Sequence, residues 1–194
     1  MASRTLVVGA ALIVVGLIGV LGLTVLRPAQ GLDIDGAESI ATNYLAGFGA
    51  PDIKVKEIME FQQNYYVEYQ ERSTGLGAFE MLIDKRTGAI FPEYGPNMMW
   101  NQKYGHGGMM GGWNTPPSAQ MPVTPSRAKS IAQGYLDSSY PGSVAEEVNQ
   151  FYGYYTVHIT KNGVLFGMLS VNGVAGVVWY HSWHGAFIQS REIS

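Results

Sequence analysis

The sequence predicts an α+β fold in which one N-terminal transmembrane helix precedes two repeats, each a helix laid on an antiparallel sheet. An uncharged apolar segment occupies residues 5–26, two later segments match each other, and strand-like alternation with turn sequences follows each match. The predicted divisions are a membrane anchor at 1–27, repeat 1 at 33–92, a Gly/Met/Pro-rich linker at 93–123 and repeat 2 at 124–190.

The amino-acid composition excludes several classes of function. The 194 residues are 46% hydrophobic and 14% charged, with twelve Lys and Arg against fifteen Asp and Glu. A chain of this length and apolar content can bury a core. Because it has no basic surplus, nucleic acid is not a predicted partner. The absence of cysteine excludes disulfides, thiolate catalysis and zinc fingers.

The first segment is predicted to cross a lipid bilayer. Thr5 to Leu26 comprises 22 residues without a charge. A helix of that length, rising ~1.5 Å per residue, spans the roughly 30 Å hydrocarbon core. A cleaved signal usually has a shorter apolar region of about 7–15 residues, so we predict that the segment is retained. Four glycines form a smooth strip against which another helix can pack, namely Gly9, Gly16, Gly19 and Gly22.

The rest of the chain carries an internal repeat. AESIATNYL at 37–45 matches AKSIAQGYL at 128–136 in six of nine positions. Apolar residues recur in both at i, i+1, i+4 and i+5, which is the pattern of an amphipathic helix. Asp35 and Thr124 are the expected capping residues. Each repeat therefore opens with a helix.

Strand signals follow each helix, because apolar residues alternate with more polar ones and the intervening turns favour tight reversals. The sequence leaves open whether the two repeats share one core. The expected inward residues of one strand are Tyr65, Val67 and Tyr69, matched by Tyr155, Val157 and Ile159. Those of the next strand are Phe79, Met81 and Ile83, matched by Phe166, Met168 and Ser170.

The first repeat resembles the PepSY domain, in which a tyrosine-rich strand is followed by a strand ending in Asp and a Thr-Gly turn. The residues that carry the resemblance are YYVEYQERSTGLGAFEMLIDKRTGAI, from Tyr65 to Ile90. It covers about residues 35–92 well and about 124–188 more loosely, since no Thr-Gly follows Asn172. The resemblance implies a membrane-anchored tandem PepSY-like protein with a degenerate second copy, and an extracytoplasmic binding or inhibitory module.

The linker is unusual because Pro92 to Pro122 is rich in Gly and Pro and holds five of the nine methionines. Thioether and imidazole donors suit Cu(I), so copper binding is one hypothesis. Its alternative is a flexible linker whose Met and aromatic side chains dock on an apolar surface. The candidate copper ligands are Met98, Met99, His106, Met109 and Met110, and the candidate partner contacts are Trp100, Tyr104 and Trp113.

A second candidate metal segment is WYHSWHG at 179–185, with His181 and His184 as ligands. These two histidines share a face on a helix and lie on opposite faces of a strand, and no third ligand stands at a fixed spacing. The alternative is that the rings close the second sheet with their nitrogens bonded to backbone. His158, which stands by itself on a predicted strand, has the same interpretation.

No catalytic motif is present, so we predict that the protein is not an enzyme. The acidic residues that alternate with core positions are expected on solvated strand faces. They are Glu57, Glu60, Glu68 and Glu80.

The predicted function is an accessory module that docks on another membrane or secreted protein, or serves as a subunit of a membrane complex, with no cofactor. The alternatives are an extracytoplasmic copper-binding protein, a peptidase inhibitor, which only the PepSY resemblance implies, and a hydrolytic enzyme. The predicted location is the cell membrane, with the N-terminus in the cytoplasm and the C-terminal domain outside it.

Overall fold

Two antiparallel sheets, each covered by one helix, make up most of the described chain. The structure is a computed structural model and describes residues 31–105 and 119–193. Both sheets belong to one compact unit, Leu32–Ser194. The two halves of the described chain are therefore parts of one unit.

The first half has a helix, four strands and a short second helix, and the second half has a helix followed by five strands. The first half contains α1 (Ile34–Phe48), β1 (Ile53–Phe61), β2 (Asn64–Glu71), β3 (Gly77–Asp84), β4 (Ile90–Pro92) and the short α2 (Pro96–Met99). The second contains α3 (Pro125–Ser139), β5 (Ser143–Gln150), β6 (Tyr154–Lys161), β7 (Val164–Asn172), β8 (Val178–Tyr180) and β9 (Phe187–Glu192). The strand orders are β4-β3-β2-β1-β9 and β5-β6-β7-β8.

Side-chain caps begin both long helices. Asp33 accepts a hydrogen bond from the amide of Gly36 at 2.8 Å, and Thr124 accepts one from Arg127 at 3.3 Å. Asp35, the residue expected to cap the first helix, lies inside its first turn instead. Capping by a short oxygen-bearing side chain satisfies amides that the helix leaves free.

Three apolar clusters divide the interior into layers. The first packs α1 on one face of β1, β2 and β3, and includes Tyr65, Val67 and Tyr69. The second packs α3 on β6 and β7. The third, which includes Tyr66 and Met168, joins the opposite faces of the two sheets. The layer order is thus helix, sheet, sheet, helix.

The strand register shows which residues of the two halves are equivalent. Tyr65 pairs with Ile83 as Tyr155 pairs with Val171. The expected match of Phe79, Met81 and Ile83 with Phe166, Met168 and Ser170 is therefore wrong by one residue. A shift of one residue moves a side chain to the other face of a sheet. Met168 and Ser170 accordingly face the first sheet, while Leu169 and Val171 pack under α3.

The turn after β7 has the same form as the turn after β3. Asp84 Oδ1 accepts from the amide of Thr87 at 2.7 Å, and Asn172 Oδ1 accepts from the amide of Ala175 at 2.8 Å. In both turns the fifth residue is a glycine with positive φ, which L side chains rarely adopt. The second half therefore keeps the turn without a Thr-Gly pair, because an Asn side chain accepts the same bonds.

The predicted fold class is wrong. The described chain is mostly antiparallel sheet with few helices, and β9 from the second half completes the sheet of the first half beside β1. Among residues 31–105 and 119–193 no helix is long and apolar enough to cross a bilayer. The predicted anchor, with Gly9, Gly16, Gly19 and Gly22, lies outside the described residues. Periodicity identifies single elements, but it does not reveal that two sheets pack face to face.

Candidate functional site

A layer of buried polar side chains lies between the two sheets, with Glu80 of β3 at its centre. Glu80 is 0% exposed. Its carboxyl group accepts hydrogen bonds from the hydroxyl groups of Tyr66 at 2.7 Å, Tyr154 at 2.6 Å and Thr156 at 2.6 Å. Two of these donors come from β6 in the other half. We call Tyr66, Glu80, Tyr154, Thr156 and Ser170 the polar layer.

The surroundings of Glu80 favour its neutral form. Burial raises the pKa of this carboxyl well above its usual value, and the nearby charge of Glu93 raises it further. The three hydroxyl donors oppose that rise. Burial beside the carboxyl also raises the pKa values of Tyr66 and Tyr154.

A second group of buried residues, which we call the histidine cluster, consists of Glu93, His181 and His184. Glu93 follows β4 and His181 follows β8 at the equivalent place: their amides donate to the carbonyls of Glu80 and Met168, both at 3.0 Å. Nδ1 of His181 lies 3.3 Å from Oε1 of Glu93, and Nε2 of His184 lies 3.0 Å from the same oxygen.

The outer nitrogen of each imidazole ring has a polar partner. Nε2 of His181 lies 2.9 Å from the hydroxyl of Ser170, which connects the histidine cluster to the polar layer. Nδ1 of His184 lies 2.9 Å from Oδ1 of Asn64. The amide of Asn64 in turn donates to the carbonyl of Trp183 at 2.9 Å. These contacts fix the orientation of both rings.

Electrostatics in the histidine cluster favour an ionised Glu93 carboxylate. Burial raises the pKa of Glu93, but the two histidines outweigh it, so that the pKa is lowered overall. Burial lowers the pKa of His184, and the attraction of Glu93 only partly offsets this. The ligand atoms of the three residues all lie within 4.8 Å of one another, so they could hold a metal ion.

A third group, the lysine cluster, lies between β1 and β2 on one side and β5 and β6 on the other. It consists of Lys56, Glu57, Glu68, Glu147 and His158. The ammonium group of Lys56 lies 3.4 Å from Glu68 and 3.2 Å from Glu147, whose carboxylate is 3.4 Å from His158. Burial raises the pKa of Glu57 to about 7. Glu57, Glu68 and His158 also have ligand atoms close enough for a metal ion.

Tyr104, predicted as a partner contact, takes part in a polar contact between the two halves. The buried carboxylate of Glu71 accepts hydrogen bonds from Lys103 at 2.5 Å, Tyr104 at 2.6 Å and Tyr152 at 2.8 Å. Burial opposes ionisation of Glu71, but these donors and Thr74 outweigh it and lower its pKa to about 2. These hydrogen bonds hold residues 103 and 104 of the linker against β2, and the bond from Tyr152 connects β2 to the second half.

The other predicted linker residues are only partly described. Met98 and Met99 lie in α2 and are 38% and 67% exposed. The ring of Trp100 contacts the ring of Trp179, with centroids 5.9 Å apart. The remaining predicted copper ligands and partner contact lie outside the described residues, namely His106, Met109, Met110 and Trp113. Copper binding by this segment stays a prediction.

The expectation that the strand carboxylates lie on solvated faces is wrong for three of the four. Glu57, Glu68 and Glu80 are buried, at 5%, 1% and 0% exposure, because the second sheet covers the face on which they lie. Sequence reasoning also missed Glu93, whose role depends on a contact with residues almost ninety positions later in the chain. The sequence gives one signal that these faces are covered: they also carry large aromatic residues, such as Tyr66 beside Glu68.

Comparison with known proteins leaves the family open. No protein-family model matches the sequence, and no curated protein matches it. One solved structure, the Bacillus megaterium YpeB C-terminal domain, is similar at 13% identity and a TM-score of 0.29. The match covers 80% of this chain and 65% of that one, and at this level it carries no argument. The PepSY resemblance therefore rests on the sequence alone, mainly on residues 35–92 and more loosely on 124–188.

Proposed function

We propose that the protein is a non-catalytic accessory module that works outside the cytoplasm by binding another protein. The observation that carries this proposal is the enclosure of the titratable groups in the polar layer and the histidine cluster. Glu80 and Glu93 are 0% exposed and His184 is 1% exposed. A general acid or base has to come within hydrogen-bond reach of a substrate. Groups sealed between two sheets hold the fold together and offer no surface for a substrate.

The surface best suited to a protein partner surrounds Trp179. Trp179 is 37% exposed and Tyr94 is 48% exposed. The backbone of Gly95 lies against the Trp179 ring, since a Cβ on Gly95 would come within 3.1 Å of it. Met98 and Met99 of α2, whose amides donate to the carbonyl of Gly95, are also exposed, and we call Tyr94, Met98, Met99 and Trp179 the Trp179 surface.

The chemistry of the Trp179 surface favours a protein with an apolar contact region. Aromatic residues and Met are enriched in protein interfaces, whereas Lys and Glu are depleted. Methionine side chains also adapt to the shape of a partner because they are unbranched and flexible. Exposed apolar groups that are close together commonly mark interaction sites.

Site-specific crosslinking in native membranes tests this function. A photo-crosslinking residue replaces Met99, and a matched control replaces Val164, which is 61% exposed in the β6–β7 hairpin. We expect one stoichiometric protein adduct from position 99 and none from position 164. The Trp179→Ser and Met99→Ser substitutions should lower the yield of that partner after mild detergent extraction. A chain that extracts as a monomer and gives no adduct from position 99 would overturn the proposal.

The location at the membrane, with this domain on the outer side, is part of the same proposal. It rests on the sequence of residues 1–27 and on the PepSY resemblance. Protease treatment of intact cells and of inverted vesicles tests it. Digestion of Leu32–Ser194 in intact cells supports the location, and digestion in inverted vesicles alone contradicts it.

A further inference from the structure

Three buried atoms of the histidine cluster converge without a hydrogen-bond partner among the described residues. They are Oε2 of Glu93, Nδ1 of His181 and Nε2 of His184. The side chains are 0% to 2% exposed. Oε1 of Glu93 accepts a hydrogen bond from Nε1 of Trp183 at 3.3 Å, and the two imidazole nitrogens lie near it without forming a hydrogen bond to it. A buried polar atom without a partner is costly, so such a group of atoms requires an explanation.

The outer contacts of the rings indicate which nitrogens carry hydrogen. Asn64 uses its amide group to donate to Trp183, so its oxygen is left to accept a bond from Nδ1–H of His184. Nε2 of a neutral His184 then presents a lone pair to the cluster. If Nε2–H of His181 donates to Ser170, then Nδ1 of His181 also presents a lone pair to the cluster. Two lone pairs and a carboxylate facing one another repel unless a proton or a metal ion lies between them.

The spacing of these atoms fits a metal ion. Zinc binds His nitrogen and carboxylate oxygen at about 2.0–2.2 Å, and tetrahedral geometry then places neighbouring ligand atoms roughly 3.3–3.5 Å apart. The two nitrogens lie 3.3 Å and 3.0 Å from Oε1 of Glu93. The His181 pair already lies in that range, and a small side-chain adjustment brings the His184 pair into it.

The lysine cluster differs because it contains its own cation. Lys56 provides a positive charge beside Glu68 and Glu147. Of the described residues, the ion-pair partners of Glu93 are His181 and His184, and neither Lys nor Arg is among them. The histidine cluster, which has no Lys or Arg partner among the described residues, is thus the better candidate for a metal ion.

We propose that Glu93, His181 and His184 bind one Zn²⁺ ion between the two halves of the protein. Two imidazoles and one carboxylate form a ligand set that zinc uses, with Oε2 of Glu93 or a water molecule in the fourth position. Ser170 and Asn64 act as positioning residues, because partners of the outer imidazole nitrogen orient metal ligands. The ion joins the end of β4 to the segment between β8 and β9.

The experiment refolds the tag-free full chain from urea and chelator, with and without Zn²⁺, because a site this deeply buried fills most readily during folding. Native mass spectrometry should find one zinc per chain, and the zinc-refolded protein should melt at a higher temperature. Glu93→Gln and His184→Gln should weaken zinc affinity by more than ~100-fold. Ser170→Ala should weaken it by roughly 10–100-fold, the range for outer partners.

Two measurements keep the proposal falsifiable if a ligand variant does not fold. His158→Gln, in the lysine cluster, should leave zinc stoichiometry and affinity unchanged, and loss of zinc in that variant would place the ion there instead. Co²⁺ refolded into the unaltered protein should give the visible absorption of a tetrahedral site and X-ray absorption from two imidazole ligands. Absence of stoichiometric zinc, or equal affinity in Glu93→Gln and the unaltered protein, overturns the proposal. Neither result bears on partner binding at the Trp179 surface.

Discussion

Replacement of Glu80 by Met tests how much the polar layer contributes to stability. Methionine is close to glutamate in length, and Met168 occupies the equivalent position in the second half. The substitution removes the acceptor for Tyr66 and Tyr154, while Thr156 keeps Ser170 at 3.4 Å. Each buried hydroxyl left without a partner costs about 1–3 kcal/mol. The free energy of unfolding should therefore fall by about 2–6 kcal/mol, out of roughly 5–15 kcal/mol for a typical domain.

The assay is urea unfolding at neutral pH, followed by tyrosine and tryptophan fluorescence. Glu146→Met, at an exposed position of β5, is the matched control and should change stability by no more than about 0.5 kcal/mol. The triple variant Glu80→Met, Tyr66→Phe, Tyr154→Phe should recover most of the loss, because both partners of each bond are then removed. A single variant within about 1 kcal/mol of the unaltered protein, or a triple variant less stable than the single, refutes the reasoning.

Two further predictions concern carboxyl groups whose pKa values shift in opposite directions. The pKa of Glu57 rises from 4.5 to about 7 on folding, so the folded state holds the proton more tightly than the unfolded state. The free energy of unfolding therefore falls as the pH rises from 4.5 to about 7 and Glu57 is forced to ionise while buried. The loss is about 3 kcal/mol at most, and Glu57→Gln should abolish it in urea midpoints measured at pH 5 and pH 8. The pKa of Glu71 falls from 4.5 to about 2, so its contribution is present above pH 4.5 and disappears towards pH 2. Glu71→Gln should cost about 2 kcal/mol at pH 7 and remove that acid sensitivity, and an unchanged acid midpoint would contradict this.

Local signals in the sequence were sufficient for the elements and for the faces that meet a helix. The matched segments at 37–45 and 128–136 lie in α1 and α3. Tyr65, Val67 and Tyr69 pack beneath α1 as their alternation predicted. These residues pack against an element nearby in sequence, so period and composition are enough to place them.

Residues on the opposite faces could not be placed in this way. Glu68 and Glu80 alternate with the helix-facing residues, and alternation assigns such positions to solvent. They are buried because a second sheet packs on the first, and the residues that form hydrogen bonds between the two sheets are 74 to 81 positions apart in sequence. For the same reason, the sequence identified only two of the three residues in the histidine cluster. His181 and His184 stand three residues apart, whereas Glu93 joins them only through the fold.

The register changes the meaning of the differences between the two halves. Equivalent positions of the sheet–sheet contact hold Tyr66 and Thr156, Glu80 and Met168, and Glu93 and His181. In the first two pairs the acid of one half is bonded by hydroxyl groups from both, and in the third an acid meets an imidazole. A second acid at position 181 would place one carboxylate against another, and two buried like charges repel each other. The divergence of the second half therefore complements the first. An isolated half, with its acids or its donors left without partners, should not fold to the structure that it adopts in the whole chain.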